Sequence, residues 1–375
     1  VGGGFGSKLD LSLQPFLAIA AWHLERPVNM VYSRNESMLS TTKRHPSHIQ
    51  AKVGANKDGK ITAMQVDATF NTGAYASWGP TVANRVPIHA CGPYHIENYR
   101  AESAAIHTHC PPSGAFRGFG VPQSAIAQET LFDLLAEQLQ IDPLEFRIQN
   151  ALANGLPTVT GQRFASGVGI VACLQALRPH WQRAVESAEA RNKAAAQSQI
   201  RYGVGVAGLW YGCGNTSLPN PSTIRVGLRS DGQIVLFQGA VDIGQGSNTV
   251  ITQICADAIG LSIDHFDLVY GDTDLTADAG KTSASRQTFV SGKAAFLAGR
   301  ALREQLLALA EMPASAQLKL NGNILLATEG ATDRRIALDQ LSADADGFVA
   351  RAEETFDPPT LPLDANGQGE PYAAF

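Results

Sequence analysis

Four short segments rich in glycine and other small residues constrain this chain more than any other feature of its sequence. They read GGGFGSK, GAFRGFG, DIGQGSN and GKTSASRQTFVSG, at residues 2–8, 114–120, 242–248 and 280–292. Each segment leads into a predicted helix, and the bare backbone amides of such loops can hold an anion. The fold must therefore place several loop-to-helix junctions around a polar surface that carries little charge of its own.

The two common nucleotide-binding patterns do not fit the first segment. Both the phosphate-binding loop and the dinucleotide fingerprint require a second or third glycine at the position that Ser7 occupies. An NTPase or an α/β hydrolase is therefore only a minor alternative. Glycines that simply make tight turns would explain one segment. They explain three poorly, especially with Arg117 and Gln245 embedded in the loops.

The sequence between these segments predicts an α+β protein. An apolar stretch that ends before Pro27 predicts a helix, whereas PVNMVYS (27–33) and IRYGVGVAGLWYG (200–212) favour strands. Asp-Gly pairs at residues 58–59 and 231–232 predict two hairpins. The chain of 375 residues exceeds one ordinary core, and the polar stretch 187–199 marks a boundary. We therefore predict two mixed α/β subdomains, residues 1–198 and 199–375, that face each other.

Composition excludes several classes of partner and metal centre. The net charge of −5, without a basic stripe, argues against nucleic-acid binding. The longest apolar run, residues 16–22, is too short to cross a membrane. The five cysteines are scattered and form no C-x-x-C pair, which is typical of a reduced, cytoplasmic protein. This chain alone therefore cannot supply the ligands of an iron–sulfur cluster.

Taken in order, the four segments resemble the molybdopterin-binding part of the xanthine dehydrogenase/aldehyde oxidase family, the molybdenum hydroxylases. The similarity extends over essentially the whole chain and includes RHPSHIQAKVGANKDGKI (44–61) and DPLEFRIQNAL (142–152). It implies that the two subdomains face each other across a molybdopterin cleft, with the cofactor as Mo-molybdopterin or its dinucleotide form. It also implies oxidation of an aromatic N-heterocycle or an aldehyde, with water as the oxygen source. Electrons would pass to iron–sulfur and FAD subunits or domains, in a homo-oligomer of the full complex.

The same resemblance implies a role for each candidate site residue. Phe5, Arg117 and Ala284 would lie near the molybdenum, none of them as a side-chain ligand. The cofactor-binding set is Gly4, Phe5, Gly6, Arg117, Gly244, Gln245, Gly246, Ser283, Ala284 and Ser285. The substrate-binding set is Leu9, Arg85, Phe119 and Thr216, with the ring of Phe119 as one wall of a substrate slot.

Two departures from the family pattern matter. Leu9 stands where purine-oxidising members have a glutamate, so a less polar heterocycle or an aldehyde is favoured over xanthine. Glu370 lies in a GEP triplet, but its order and spacing match an earlier family stretch rather than the catalytic base. We expect that base glutamate downstream of Phe375, so no catalytic residue is assigned within this chain. The chain is then a fragment or one half of a split subunit, inactive when isolated; the alternative is a catalytically silent cofactor-binding module.

Overall fold

The computed structural model describes residues 2–213, 218–363 and 365. These residues divide into two compact units. One unit comprises residues 5–211, and the other comprises residues 2–4 together with the described residues from 212 onward. Each unit combines helices with a mixed sheet, which confirms the predicted α+β class. The boundary that the sequence suggests between residues 198 and 199 stays a prediction.

The first unit contains a three-stranded sheet in the order β1-β2-β3, in which β1 and β2 are antiparallel and β3 runs parallel to β2. Its strands are β1 (Ser47–Ala55), β2 (Ile61–Gly73) and β3 (Asn98–His107). Its helices are α1 (Gln14–Leu24), α2 (Arg34–Ser40), α3 (Gly79–His89), α4 (Val121–Leu139), α5 (Pro143–Asn150) and α6 (Ile170–Ala194). The core forms where α3 and α4 cover one face of the sheet, with Phe70, Val86 and Phe132 fully buried.

The second unit repeats the order hairpin, helix, parallel strand. Its main sheet has the order β10-β4-β5-β6, and β6 runs parallel to β5 after a helical crossover. The strands are β4 (Ser222–Arg229), β5 (Ile234–Gln238), β6 (Phe266–Tyr270) and β10 (Phe348–Phe356), beside the separate meander β7 (Gln317–Asn321), β8 (Ile324–Glu329) and β9 (Thr332–Ala337). The helices are α7 (Ser247–Ile259) and α8 (Gln287–Leu309). Small residues of α8, such as Ala294 and Ala298, let it pack closely on β4 and β10.

Both predicted Asp-Gly hairpins are confirmed. The turn at Asp58–Gly59 joins β1 to β2, and Gly59 has a φ of 85°, which L side chains rarely adopt. Asn150, at the end of α5, fixes this turn from outside. Its side chain donates to Gly59 O at 2.9 Å and accepts from Ile61 N at 2.8 Å. The DPLEFRIQNAL motif therefore contains the residue, Asn150, that holds the hairpin to a helix.

Two predicted strands are wrong. Residues 27–33 form no strand, because Ser33 caps α2 and exchanges capping-box hydrogen bonds with Glu36. Residues 200–212 belong to no strand either. The side chain of Asn192 donates to Tyr202 O and accepts from Tyr202 N, each at 2.8 Å. These two hydrogen bonds replace those of a neighbouring strand. Alternating apolar residues are not sufficient for a strand when another group satisfies the backbone.

A buried ion network ties α4 to α5. Arg147 is fully buried, and its Nε donates to Glu129 Oε2 at 2.6 Å. Its Nη1 lies 2.8 Å from Asp133 Oδ1. Tyr94 donates its hydroxyl proton to Glu129 Oε1 at 3.0 Å, and burial raises the pKa of this phenol. Because Arg147 and Glu129 pair away from water, while Asp133 is half exposed, removal of Arg147 would leave the Glu129 charge buried without a partner cation.

We expect Arg147→Met to lower the free energy of unfolding by about 3–5 kcal/mol, because it leaves Glu129 buried without its cation. Arg178→Met is the matched control, since the Arg178–Glu145 pair is about half exposed. Loss of that pair should cost less than about 1 kcal/mol. Urea unfolding followed by circular dichroism measures both values. Equal losses in the two variants would contradict a special role for the buried network.

Candidate functional site

The first and second glycine segments touch each other within the unit of residues 5–211. The backbone N–H of Arg117 donates to the carbonyl oxygen of Phe5 at 2.7 Å. Gly6 has a φ of 102°, and a Cβ at this position would stand 2.8 Å from the backbone carbonyl carbon of Ala115. The structure therefore brings Phe5, Gly6 and Arg117 together, and only glycine allows this approach.

The Arg117 loop holds an unusual backbone. Gly118, Phe119 and Gly120 have consecutive φ values of 89°, 39° and 85°, and Phe5 across the loop contact has a φ of 52°. A positive φ strains a residue with an aromatic side chain, so the surrounding contacts must hold it in place. Phe119 N donates to Phe116 O at 2.9 Å, and α4 begins at Val121 directly after the loop. Such strain is typical of functional sites.

An aromatic ring that sequence reasoning missed supports Phe119. The indole of Trp78 stacks on the Phe119 ring, with centroids 5.9 Å apart and planes 19° apart. Trp78 immediately precedes α3, so the pair joins two distant parts of the chain. Nothing local in the sequence signals this pair, because only the tertiary fold brings the two rings together. The predicted substrate wall is therefore backed by a second aromatic layer.

The predicted substrate residue Arg85 lies on α3 beside a group of aromatic rings. Its guanidinium carbon stands 5.2 Å from the centroid of the Tyr211 ring. His89, one turn later, stacks on the same ring at 5.4 Å, and its Nδ1 donates to Arg85 O at 3.0 Å. Burial lowers the pKa of His89 to about 4, so this imidazole is neutral at pH 7. A neutral, stacked histidine therefore supports the helix turn that carries Arg85.

The other two predicted substrate residues differ in what the structure shows. Leu9 is half-buried, and its N–H donates to Gly6 O at 3.1 Å, which closes a turn directly after the first glycine segment. Leu9 thus follows the Phe5–Arg117 contact along the chain. Thr216 lies outside the described residues.

The third segment, in the other unit, closes on its own carboxylate. Asp242 accepts hydrogen bonds from the N–H groups of Gly244 at 2.7 Å, Asn248 at 3.2 Å and Gly246 at 3.3 Å. Burial opposes ionisation of Asp242, but these donors outweigh it and hold the pKa of the carboxyl below its usual value. The amides that the sequence suggests for binding an anion are therefore already engaged. This loop offers shape rather than free donors.

Gln245 is turned onto the same loop. Its Oε1 accepts from Ile243 N at 2.7 Å, and its Nε2 donates to Ser247 Oγ at 3.0 Å. Nε2 also donates to Val241 O at 3.3 Å, so what this exposed side chain can still offer a ligand is the second lone pair of Oε1. Gly246, with a φ of 84°, has no atom within 4 Å of the place where a Cβ would stand. The backbone there is open to close approach.

The fourth segment bonds to the residue directly before the third segment, and Gly4 packs against the third. Thr282 Oγ1 donates to Val241 O at 2.8 Å. A Cβ on Gly4 would stand 2.4 Å from Ile243 Cδ1, the end of a side chain that would have to shift to admit it. The consecutive residues Ala284 and Ser285 both have positive φ values, 59° and 55°. Within this unit, Gly4 therefore lies beside Ile243 of the third segment, and Thr282 ties the fourth segment to Val241.

A buried arginine that was not predicted as a site residue organises the fourth segment. Arg286 donates to Ala279 O, to Asn220 O at 2.9 Å and to Pro221 O at 2.8 Å. Cys213 Sγ donates to Ser285 O at 3.1 Å. Arg286 lies inside the fourth segment, but nothing in the local sequence indicates that its side chain is buried. Because carbonyl oxygens surround this cation, it fixes the backbone turn rather than a ligand.

Each unit, taken by itself, fits part of a large anionic cofactor that brings its own metal ligands. The first unit offers the exposed guanidinium of Arg117, and the second offers open glycine backbone beside Gln245. Within the described residues, no group of three His, Cys, Asp or Glu side chains is arranged to hold a metal. In the same part of the chain, no helix is both long enough and apolar enough to cross a membrane.

Comparison with known proteins gives a consistent result. A family model described as a molybdopterin cofactor-binding domain matches residues 1–151, and a second model with the same description matches residues 177–375. The chain is 45% identical over 185 residues to the nicotinate dehydrogenase large molybdopterin subunit of Eubacterium barkeri, which covers 49% of this chain and 43% of that protein. It is 34% identical over 357 residues to a putative xanthine dehydrogenase molybdenum-binding subunit of Escherichia coli K12, covering 92% and 46%.

A solved structure gives the same result for the fold. The aldehyde oxidoreductase of Desulfovibrio desulfuricans superposes with a TM-score of 0.80 at 28% identity, covering 99% of this chain and 38% of that one. The chain thus spans less than half the length of each of these relatives.

We expect Gly6→Ala to lower the free energy of unfolding by about 1–3 kcal/mol, because its methyl group meets the backbone of Ala115 at a strained φ. Gly2→Ala is the matched control in the same segment, since nothing lies within 4 Å of its Cβ position. Denaturant titration of both variants gives the comparison. A Gly6→Ala protein as stable as Gly2→Ala would show that the loop contact is not tight.

Acid should destabilise the protein through His89. The pKa of its imidazole is lowered from 6.5 to about 4 in the folded state, so the unfolded chain binds a proton first as the pH falls. Between about pH 7 and pH 5 the wild type should lose about 2 kcal/mol more unfolding free energy than His89→Phe, which does not titrate. Urea titrations at several pH values measure this difference. If the free energy of unfolding depended on pH equally in the two proteins, His89 would not be the cause.

Proposed function

The chain belongs to the molybdopterin cofactor-binding family of the xanthine dehydrogenases and aldehyde oxidoreductases, and from that premise we propose that it forms the cofactor-binding portion of a molybdenum hydroxylase. The proposed reaction oxidises an aromatic N-heterocycle or an aldehyde, with water as the oxygen source. The observation that carries the proposal is the contact between the Phe5 and Arg117 segments. It fixes a cationic side chain beside a strained, glycine-lined backbone.

When bound, the cofactor supplies the metal at which a substrate carbon is oxidised. The residues of this chain bind and orient. The planar fork of donors on the Arg117 guanidinium suits phosphate and other oxygen acceptors. Phe5 has a left-handed backbone conformation and accepts the hydrogen bond from Arg117 N–H, and its side chain is exposed. Both features favour a fixed anionic group near residues 5 and 117.

The substrate pocket that we propose has an aromatic wall and a cationic residue. Phe119, backed by Trp78, offers a flat face on which a planar ring can stack. Arg85 would orient a polar substituent or a ring nitrogen, while Leu9 offers no hydrogen bond to a purine edge. The 45% identity with a nicotinate dehydrogenase subunit favours an N-heterocycle over an aldehyde as the substrate.

Electrons released in this reaction would leave through partners. The five cysteines of the chain form no C-x-x-C pair, so we propose iron–sulfur and FAD groups on partner subunits or domains. The two relatives from Eubacterium barkeri and Escherichia coli are themselves named as subunits, which supports such an assembly. We place the assembly in the cytoplasm on the basis of the scattered cysteines, and we propose a homo-oligomer of the full complex on the basis of the family resemblance.

The proposal is tested on the assembled complex, purified from a host that makes the molybdenum cofactor. The wild type should contain molybdenum and pterin in equal amounts, and a redox dye should be reduced with nicotinate, quinoline or benzaldehyde. The Arg117→Gln complex should contain at most about a tenth of the pterin of the wild type, because a charge-assisted contact is lost. Arg178→Gln, an exposed arginine of the same unit, should behave as the wild type.

Three results would decide between the proposed hydroxylase, with its role for Arg117, and the alternative. A wild-type complex without molybdenum and pterin would refute the proposal. Normal pterin content in Arg117→Gln would refute the role of Arg117. Bound pterin with no dye reduction by any of these substrates would favour the alternative, a catalytically silent cofactor-binding module.

A further inference from the structure

We propose that Arg44 is a positioning residue that holds the Arg117 loop in the shape the cofactor requires. This inference rests on the proposed function, because it concerns the same site. Arg44 opens the RHPSHIQAKVGANKDGKI stretch and does not belong to any of the four glycine segments. It acts through the backbone of the loop and not by touching the cofactor.

Three contacts join the Arg44 guanidinium to the loop. Its Nη2 donates to the carbonyl oxygen of Arg117 at 2.8 Å, and its Nη1 donates to Gln123 Oε1 at 3.2 Å. Its central carbon lies 4.4 Å from the centroid of the Phe116 ring. The contacts reach the residue before Arg117, Arg117 itself and the first turn of α4. One planar group therefore spans the whole turn.

Both backbone polar groups of Arg117 are engaged as a result. Its N–H donates to Phe5 O, and its carbonyl accepts from Arg44. With the two ends of the residue held by different parts of the chain, neither adjoining peptide group can rotate without breaking a hydrogen bond. The exposed guanidinium of Arg117 is therefore presented from a fixed base. Such preorganisation reduces the ordering cost of binding an anion.

The segment around Arg44 is clamped to the loop in both directions. Gln123 Nε2 donates back to His45 O at 2.9 Å. Gly114 N donates to Lys43 O at 3.0 Å, beside an isolated parallel bridge between Lys43 and Ser113. Three consecutive residues, 43–45, therefore each contact the loop or the helix that follows it. Arg44 is the middle residue of the three.

The chemistry of these contacts favours a positioning role over a simple stabilising ion pair. Partial burial lowers the pKa of Arg44, which shows a cost of placing the charge here. The two acceptors are a backbone carbonyl and a side-chain amide, both neutral, whereas a stabilising buried cation is normally paired with a carboxylate. Lysine has a single ammonium centre and cannot reproduce the two-pronged contact above an aromatic ring.

The test compares Arg44→Lys with Arg178→Lys in the assembled complex. The control makes the same change in the same unit, at an exposed arginine that contacts Glu145. We expect amide hydrogen exchange in the peptide that contains Arg117 to accelerate about tenfold in Arg44→Lys. The rate of pterin loss on dilution should rise by a similar factor. Arg178→Lys should match the wild type in both measurements.

Each outcome supports or overturns the inference. Exchange at wild-type rates in Arg44→Lys would overturn it, because the loop would then not depend on Arg44. Faster exchange with unchanged pterin retention would also overturn it, while leaving the proposed function intact. A wild-type complex that contains no pterin would refute the proposed function, and the inference with it.

A second variant keeps the test decisive if Arg44→Lys does not assemble. Phe116→Leu removes the ring beneath the guanidinium while leaving both hydrogen bonds of Arg44 in place. It should accelerate exchange and pterin loss about threefold, in the range of one cation–π contact. Wild-type behaviour of Phe116→Leu, with Arg44→Lys unassembled, would count against the positioning role.

Discussion

The hydrogen bond between Arg117 N–H and Phe5 O is the contact on which the candidate site of the first unit depends. It can form only because Gly6, at a φ of 102°, lets two loops approach to backbone distance. Once formed, it fixes the start of a turn whose next residues are strained, including Phe119. The Trp78 ring and the Arg44 guanidinium then hold that turn from other sides. The loop is therefore rigid before any ligand arrives, which is the condition under which strain can persist.

The second unit reaches a similar rigidity by different chemistry. There the loop amides are satisfied by Asp242, and the turn that carries Ala284 is held by the buried cation of Arg286. From the sequence alone, the charges of Asp242 and Arg286 could face a ligand, but in the structure both side chains bond to nearby backbone groups. What remains at the surface is open glycine backbone and the exposed side chain of Gln245. A binding surface of this kind selects by shape, because few free donors are left to reorganise.

Local chemistry made part of the fold predictable. The two Asp-Gly turns were correctly predicted, since each depends on neighbours in sequence. The strands at residues 27–33 and 200–212 were not, because a strand needs a ladder partner that the local pattern cannot guarantee. For the site, the motifs led to Phe5, Gly6, Arg117, Ala284 and Ser285, and their cofactor contacts remain predictions. The supporting residues Arg44, Trp78 and Arg286 went unrecognised, because their partners are remote in sequence.

The sequence by itself determined the α+β class, the four loop-to-helix junctions and, through the order of the motifs, the family. These are properties of spacing and residue type, and they do not depend on how the chain packs. Only the tertiary structure decided which loops touch, which amides are already satisfied and which side chains hold the Arg117 backbone. The reason is physical: a hydrogen bond is defined by distance and angle, and residues far apart in the chain meet these limits only after both have been fixed by their own cores.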